Sequence, residues 1–407
     1  MTVTEELDWP PHAYEARPWQ QRTVRGPRAD RLLREVTTAL PPRIADLDLP
    51  MDRTLTAMTT ASAGGLSHLD LVHGRTLAEL NRLLLRAEAI DSSKIENVDA
   101  SYADYGRALL GEGANASAVS MAAATAAMAR LITDSDRTWR IRSEAVLAAH
   151  RELFARDADE AERAGRYRTR QNWIGGSDYA PRDALYVPPP PETVSDYLED
   201  LFAFTDRQDL PPVVQAAIAH AQFESIHPFI DGNGRIGRAL IHAILRRRRI
   251  TRHVTIPIAS ALVVRRDHYF SALADYRAGR ARTMVALLAR SVGIATAESW
   301  VTASRIVEIR EQWGEAVGGT RPGTTLHRLL DLLTEEPIVN HRLVRDRLRI
   351  EEGEAAAAIA RLEDARVLRR AARSRRAPVW LASSVLEEIQ DLSLRIQSSS
   401  SRAGTAG

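Results

Sequence analysis

The chain has 407 residues, a length suited to two or three domains, and its 44% hydrophobic content is enough to build sizeable cores. A formal net charge of +2 gives no global field to hold it on nucleic acid or a membrane, and the absence of cysteine excludes disulfides, thiolate metal sites and cysteine nucleophiles. Lys94 is the only lysine, so the positive charge is carried by arginine, whose planar fork grips phosphate and carboxylate bidentately.

The stretch from Met1 to Trp9 is polar and acidic and lacks an apolar signal core. No apolar run approaches bilayer-spanning length, so the expected location is the cytoplasm, with no membrane partner. Residues 1–50 are rich in proline and arginine and read as an extended, partly ordered arm. Helical spacing begins near Leu66 and runs to Ile90 through Leu69, Leu77, Leu80, Leu83 and Leu84. Alanine-rich helices follow at about 115–134 and 142–155.

From 166 to 191 the pattern changes. Tyr167 to Ile174 alternates like a strand, Gly175-Gly176 offers a hairpin turn, and Pro188 to Pro191 must be extended. Helices are predicted over 192–206 and from Pro211-Pro212 to about Ser225. After the dense segment 227–238, helix resumes from Ala239 to Arg248, and further helices cover 258–278 and 281–312. Gly318 to Gly323 reads as a linker. In 324–390, helices at 324–335, 340–348 and 353–365 precede two strands, 367–369 and 378–381, joined by the basic loop Arg370 to Arg376. The Ser/Gly/Ala-rich end from Ser398 to Gly407 reads as disordered.

The segment from His227 to Arg238, HPFIDGNGRIGR, concentrates the chemistry. Gly232 and Gly234 permit positive φ and close backbone approach. The helix that follows presents free N–H groups and a positive dipole end, an arrangement suited to a polyphosphate. Arg235 and Arg238 are three apart and share a helix face, where each can fork onto phosphate oxygens. Asp231 supplies the hard oxygen that magnesium takes beside phosphates, and His227, as neutral imidazole, can accept a proton from an incoming hydroxyl.

This segment resembles the Fic-family motif, H-P-F-x-[DE]-G-N-G-R-x-x-R, at every fixed position. The resemblance implies a mainly α fold, a Fic-type helical core with a small β-hairpin flap. It also implies an enzyme, a protein adenylyltransferase (AMPylase) that moves AMP from ATP to a Ser, Thr or Tyr hydroxyl of a target protein and releases pyrophosphate. By the same resemblance His227 is the base and Asp231 the Mg2+ ligand. Gly232, Asn233 and Gly234 form the anion hole, and Arg235 and Arg238 hold phosphates, with Ile236 and Gly237 inside the nucleotide-binding segment. Residues 171–176, including Ile174, Gly175 and Gly176, with 186–191, resemble the flap that aligns a target by strand addition. Tyr269, in the stretch 265–270, matches the aromatic residue against the adenine; from the residues alone it reads equally as a core tyrosine. Alternatives at the same site are removal of AMP and transfer of another nucleotide.

Ser92, Glu96 and Asn97 fit the family's inhibitory pattern, [ST]-x-x-x-E-[GN]. A carboxylate paired with Arg238 would occupy the fork that the γ-phosphate needs, so the resemblance implies an autoinhibited enzyme. The expected organisation is an N-terminal arm and inhibitory helix over 1–100, a catalytic core over 101–300, a helix end and linker over 301–323, a winged-helix-like module over 324–390 and a disordered tail over 391–407. Family members often pair, so a homodimer is a candidate assembly. The segment Glu351 to Ala358 is acidic and alanine-rich and offers few side chains for base edges. A DNA-binding regulator is therefore the reading from another class, resting on the last module alone.

Overall fold

The computed structural model describes residues 8–21, 23–100, 102–109, 115–155, 157, 162–371 and 378–405. In chain order the elements are β1 (Ala13–Pro18), α1 (Arg28–Arg31), β2 (Glu35–Leu40), α2 (Arg53–Ile95), α3 (Tyr102–Leu109), α4 (Ala116–Thr138) and α5 (Ser143–Leu153). Next come α6 (Val194–Asp206), α7 (Pro212–Ile226), α8 (Asn233–Arg247), α9 (Ile258–Val263), α10 (Arg266–Arg277) and α11 (Ala281–Ala316). The last are α12 (Thr325–Glu335), β3 (Ile338–Val339), α13 (His341–Leu348), α14 (Glu352–Asp364), β4 (Arg369–Arg370), β5 (Trp380–Leu381) and α15 (Ser383–Thr405). The fold is mainly helical, with one small antiparallel hairpin and a three-stranded sheet of order β3-β5-β4.

The chain divides into two compact units that are discontinuous in sequence. The first comprises Met1–Ala63, Ala126–Arg249 and Arg266–Arg290; the second comprises Gly64–Thr125, Ile250–Arg265 and Ser291–Gly407. These boundaries cut across the linear domains expected from the sequence, because α2, α4 and α11 each contribute residues to both units.

In the first unit α7 is the central helix. Every residue from Val213 to Ile226 is buried, the polar Gln215, His220, Gln222, Glu224 and Ser225 among them. The α8 helix packs against it at Gly237, where a Cβ would lie 2.6 Å from Glu224 Oε1 and 3.2 Å from Phe223 Cδ1. Near the far end of α8, Arg247 donates to the carbonyls of Trp139 at 3.0 Å and Asp206 at 2.6 Å, which fastens it to the ends of α4 and α6.

The N-terminal segment is ordered, which corrects the expected arm. β1 and β2 pair antiparallel from Ala13 opposite Leu40 to Pro18 opposite Glu35. The Ala39 amide donates to the Val187 carbonyl at 2.9 Å, so β2 also reaches the segment expected to be the flap. Trp19, Val36, Ala180 and Val187 bury one another there, with Trp173 packed alongside. The Trp19 and Trp173 rings meet edge to face at 5.7 Å. Asp30, fully buried, accepts hydrogen bonds from Arg182 Nε at 2.5 Å and from the Ser177 hydroxyl.

In the second unit the polar residues of α2 hold the segment that leads into α9. Asp70 accepts from the amides of Arg252, His253 and Val254, and Asn81 accepts from Thr255 at 2.6 Å. Glu88 accepts from Ala259 at 2.7 Å, and Asp91 accepts from the Ser260 hydroxyl at 2.5 Å. The helices predicted over 324–365 are present as α12, α13 and α14, with Thr324 and Asn340 capping the first two. Of the predicted basic loop, residues 372–376 lie outside the described residues.

Four further expectations are corrected. The tail is helical, not disordered: α15 runs to Thr405 and buries Val385, Ile389, Leu392 and Ile396, while the Ser400 hydroxyl donates to the Ala261 carbonyl at 3.0 Å. The single helix expected over 258–278 is two, α9 and α10. The strand expected over 167–174 reduces to one bridge, Ile174 opposite Tyr186. Finally, α4 and α11 each contain a stretch long and apolar enough to cross a membrane, although 56% of each stretch is buried in the fold.

Candidate active site

The site is a turn between two packed helices. α7 ends at His227, which adopts the left-handed conformation (φ 50°, ψ 59°) and closes the helix with its amide on the Phe223 carbonyl at 2.9 Å. A non-glycine residue holds that conformation only when its surroundings over-determine it. Here the surroundings are specific. Buried Arg168 donates from Nε to the His227 carbonyl at 2.9 Å, and its own amide donates to the Pro228 carbonyl at 2.8 Å.

Beyond His227 the chain dips into the core at Phe229, which is fully buried, and returns to the surface at Asp231. Asn233 locks this dip. Its side-chain oxygen accepts from the Phe229 amide and its nitrogen donates to the Phe229 carbonyl, both at 2.8 Å. The ring of His150 on α5 stacks on Phe229 at 3.7 Å. Because the Gly165 amide donates to His150 Nδ1 at 2.9 Å, the proton sits on Nε2, which donates to the Asp231 carbonyl at 3.1 Å. Burial holds this histidine neutral, its pKa lowered to about 4.

α8 begins at once. Gly232 occupies its N-cap position with φ 80°, and a Cβ there would lie 2.8 Å from Leu153 Cδ2. Both backbone and space therefore demand glycine. The first-turn amides of α8, at Asn233, Gly234 and Arg235, have no carbonyl of their own helix to bond and form the positive end of its dipole. Asp231 projects into solvent; one carboxylate oxygen accepts from the Gly232 amide at 2.6 Å and the other lies 3.4 Å from Arg235 Nη2. Arg235 is 6% exposed and its guanidinium lies over the Phe154 ring, 5.5 Å from the centroid. Arg238 is 2% exposed, one turn further along the same helix. The residues fit a polyphosphate: an amide cradle, two arginines and one exposed carboxylate. Among the described residues no cluster of three His, Asp or Glu side chains could hold a metal alone. A magnesium ion on Asp231 would thus complete its shell with phosphate oxygens and water.

His227 retains partial exposure, and its imidazole is held neutral, its pKa lowered to about 3. Burial is the main cause; the cations of Arg168 and Arg277 add to it, and the Glu224 carbonyl works the other way.

The flap is tied to the same turn. Ile174 donates to the Tyr186 carbonyl at 2.9 Å and accepts from Leu185 at 2.8 Å. Gly175 and Gly176 both have positive φ, and at Gly176 a Cβ would lie 2.4 Å from the Arg182 carbonyl oxygen. Asn172 donates to the Phe229 carbonyl and the Tyr186 hydroxyl to the Ser225 carbonyl, each at 2.8 Å. Beside Ile230, a groove of about 450 Å³ is lined by Trp19, Arg170, Asn172, Trp173 and Tyr179.

The structure thus gathers His227, Asp231, Gly232, Asn233, Gly234, Arg235 and Arg238 around one turn, with Ile174, Gly175 and Gly176 in the flap beside it. Ile236, Gly237 and Tyr269 are packed within the first unit. Ile236 is 1% exposed and belongs to the core, and Gly237 faces α7. Tyr269 is also 1% exposed; its hydroxyl lies 2.9 Å from His220 Nε2, the setting of a core tyrosine and not of an open adenine platform. In the second unit Ser92 is buried in the last turn of α2, Glu96 is half-buried just beyond it, and Asn97 (φ 62°) closes the helix in the left-handed conformation. Sequence reasoning missed Arg168, His150 and Asn172. Nothing marks them by spacing, because their partners are main-chain carbonyls 57 to 81 residues away.

Comparison with known proteins agrees with this geometry. The Fic/DOC family model matches residues 140–245, which include α5, the flap, α7 and most of α8. The chain is similar to protein adenylyltransferase fic-1 of Caenorhabditis elegans, 32% identical over 148 residues, which is 36% of this chain and 26% of that protein. It is 40% identical over 87 residues to protein adenylyltransferase Fic of Nematostella vectensis, covering 21% of this chain and 18% of that one. The chain thus spans about a quarter of the first relative's length and under a fifth of the second's. A Fic family protein from Desulfovibrio desulfuricans shares the fold with a TM-score of 0.52 at 21% identity, over 82% of this chain and 97% of that one. The match to the Fic/DOC family thus covers the segment that carries the flap and the turn from His227 to Arg238.

Proposed function

We propose that the chain is a protein adenylyltransferase that transfers AMP from ATP to a Ser, Thr or Tyr hydroxyl of a target protein and releases pyrophosphate. The observation that carries this reading is the placement of a neutral imidazole, His227, on the same turn as a helix N-terminus with two buried arginines. The α8 amides and Arg235 would bind the phosphates, with Arg238 at the γ-phosphate. Asp231 would hold a magnesium ion, which neutralises phosphate charge when bound. Neutral His227 would take the hydroxyl proton as the oxygen attacks the α-phosphorus and pyrophosphate leaves. The names of the relatives support AMP as the transferred group.

We further propose that Glu96 restrains this activity by pairing with Arg238; the support is the Ser92–Glu96–Asn97 pattern at the end of α2. The test is incubation of the wild type, Glu96→Gly and His227→Ala with α-labelled ATP and candidate targets. The expected result is weak protein labelling by the wild type, stronger labelling by Glu96→Gly and none by His227→Ala. Labelling by His227→Ala refutes the base assignment. A labelled mass other than AMP, or loss of AMP from a pre-modified target, selects one of the alternative reactions.

A further inference from the structure

We infer that Arg168 is the positioning residue for the His227 base, a single buried guanidinium that joins the catalytic turn to the flap; the inference rests on the proposed AMP transfer. Arg168 is 3% exposed. Its Nε donates to the His227 carbonyl at 2.9 Å, and its Nη2 donates to the Ile226 carbonyl at 3.3 Å and the Pro189 carbonyl at 2.5 Å. Its own amide donates to the Pro228 carbonyl at 2.8 Å. The guanidinium therefore joins the Ile226 and His227 carbonyls to Pro189 in the return limb of the flap, and the main chain of the same residue holds Pro228. This fastening is what holds His227 in its left-handed conformation.

The charge is the informative part. In the same turn neutral amides do comparable stitching: Asn172 and Asn233 both donate to the Phe229 carbonyl. A buried guanidinium is a costly substitute for an amide, and this one meets carbonyls, with Nη1 lacking any hydrogen-bond partner. Burial correspondingly lowers its own pKa to about 10. A cation at this place does what an amide cannot, since it disfavours a second positive charge on the imidazole next to it. The other groups around His227 act in known directions. Arg277 on α10 reinforces Arg168, and the Glu224 carbonyl on α7 opposes both. Tyr186 of the flap, beneath Arg277 at 3.7 Å, is kept neutral by burial. The exposed carboxylate of Asp231 is engaged by the Gly232 amide.

Two substitutions separate position from charge. Arg168→Lys keeps the charge but cannot fork onto three carbonyls. The expected result is a fall in kcat of about tenfold or more, with KM for ATP nearly unchanged and the acid limb of the pH profile unmoved. Arg168→Gln keeps donors but loses the charge, so the acid limb should also move to higher pH. An NMR titration of the His227 imidazole reads the same effect without turnover: its pKa should rise in Arg168→Gln and stay in Arg168→Lys. Unchanged kcat in Arg168→Lys, or an unmoved His227 titration in Arg168→Gln, overturns the inference. A wild type that transfers no AMP refutes the proposed activity, while the titration still decides the role of Arg168.

Discussion

Replacing Asn233 with alanine should loosen the catalytic turn by a calculable amount. The side chain makes two hydrogen bonds of 2.8 Å, one accepting from the Phe229 amide and one donating to the Phe229 carbonyl. The consequences are unequal. The carbonyl keeps the Asn172 donor at 2.8 Å, so that loss costs about 0.5–1.5 kcal/mol. The amide, buried with Phe229 in the core, is left unsatisfied, at about 1–3 kcal/mol. Alanine at the first position of α8 returns roughly 0.5 kcal/mol of helix propensity. The net is about 1–4 kcal/mol against the folded turn. Hydrogen exchange at the Phe229 amide is the suitable assay, because two units need not unfold in one transition. Exchange should accelerate about tenfold for each 1.4 kcal/mol lost. Asn233→Asp retains the acceptor for that amide, so its Phe229 exchange should be slower than in the alanine variant. Equal Phe229 exchange in wild type and Asn233→Ala refutes the reasoning, since the clasp would then contribute nothing.

Three further outcomes follow from the same geometry. Gly232→Ala places a Cβ 2.8 Å from Leu153 Cδ2 at φ 80°; left-handed strain and overpacking together should cost about 2–4 kcal/mol, read as a lower melting temperature and weaker ATP binding. Because the pKa of His227 is lowered, the base form is present from well below neutral pH upward, and the acid limb of kcat/KM should lie below the ordinary histidine value of about 6.5. Bound phosphates favour the imidazolium, so the acid limb of kcat should lie at higher pH than that of kcat/KM; coincident limbs would contradict this. Trp19→Ala removes the edge-to-face partner of Trp173 and about 3–5 kcal/mol of packing, and limited proteolysis should then cut within 172–186 faster than in the wild type.

The catalytic turn was legible in the sequence because its chemistry is local. His227, Asp231, the two glycines, Arg235 and Arg238 lie within twelve residues, and glycine before a helix has a direct conformational meaning. What was illegible depends on distant partners. Helical spacing starts near Leu66, yet α2 begins at Arg53 and runs through Gly64 and Gly65, because nothing crowds Gly64 and Leu66 and Leu69 bury the same helix. α8 starts at Asn233, so the helix face expected for Arg235 and Arg238 is present, six residues ahead of Ala239. The strand over 167–174 has suitable alternation, but its side chains are spent on single contacts such as Arg168 and Asn172 and no ladder forms. The β1–β2 hairpin was hidden among prolines, and only pairing revealed the alternation of Val36 and Thr38. The serine-rich tail lacks composition typical of order, but Leu392 and Ile396 place a four-residue apolar step on its buried face.

The bond from Ala39 to Val187 also sets an order of events during synthesis. β1 and β2 leave the ribosome before the flap and can pair locally, but an isolated two-stranded hairpin is marginal in water. Its partners, Trp173, Ala180 and Val187, arrive roughly 150 residues later, about 7–30 s at ordinary translation rates. Until then Trp19 and Val36 have no flap to cover, and the flap, once made, finds its wall already synthesised. The surface beside the catalytic turn is thus completed only after the nascent chain has passed Val187, which keeps an immature chain from presenting a finished groove.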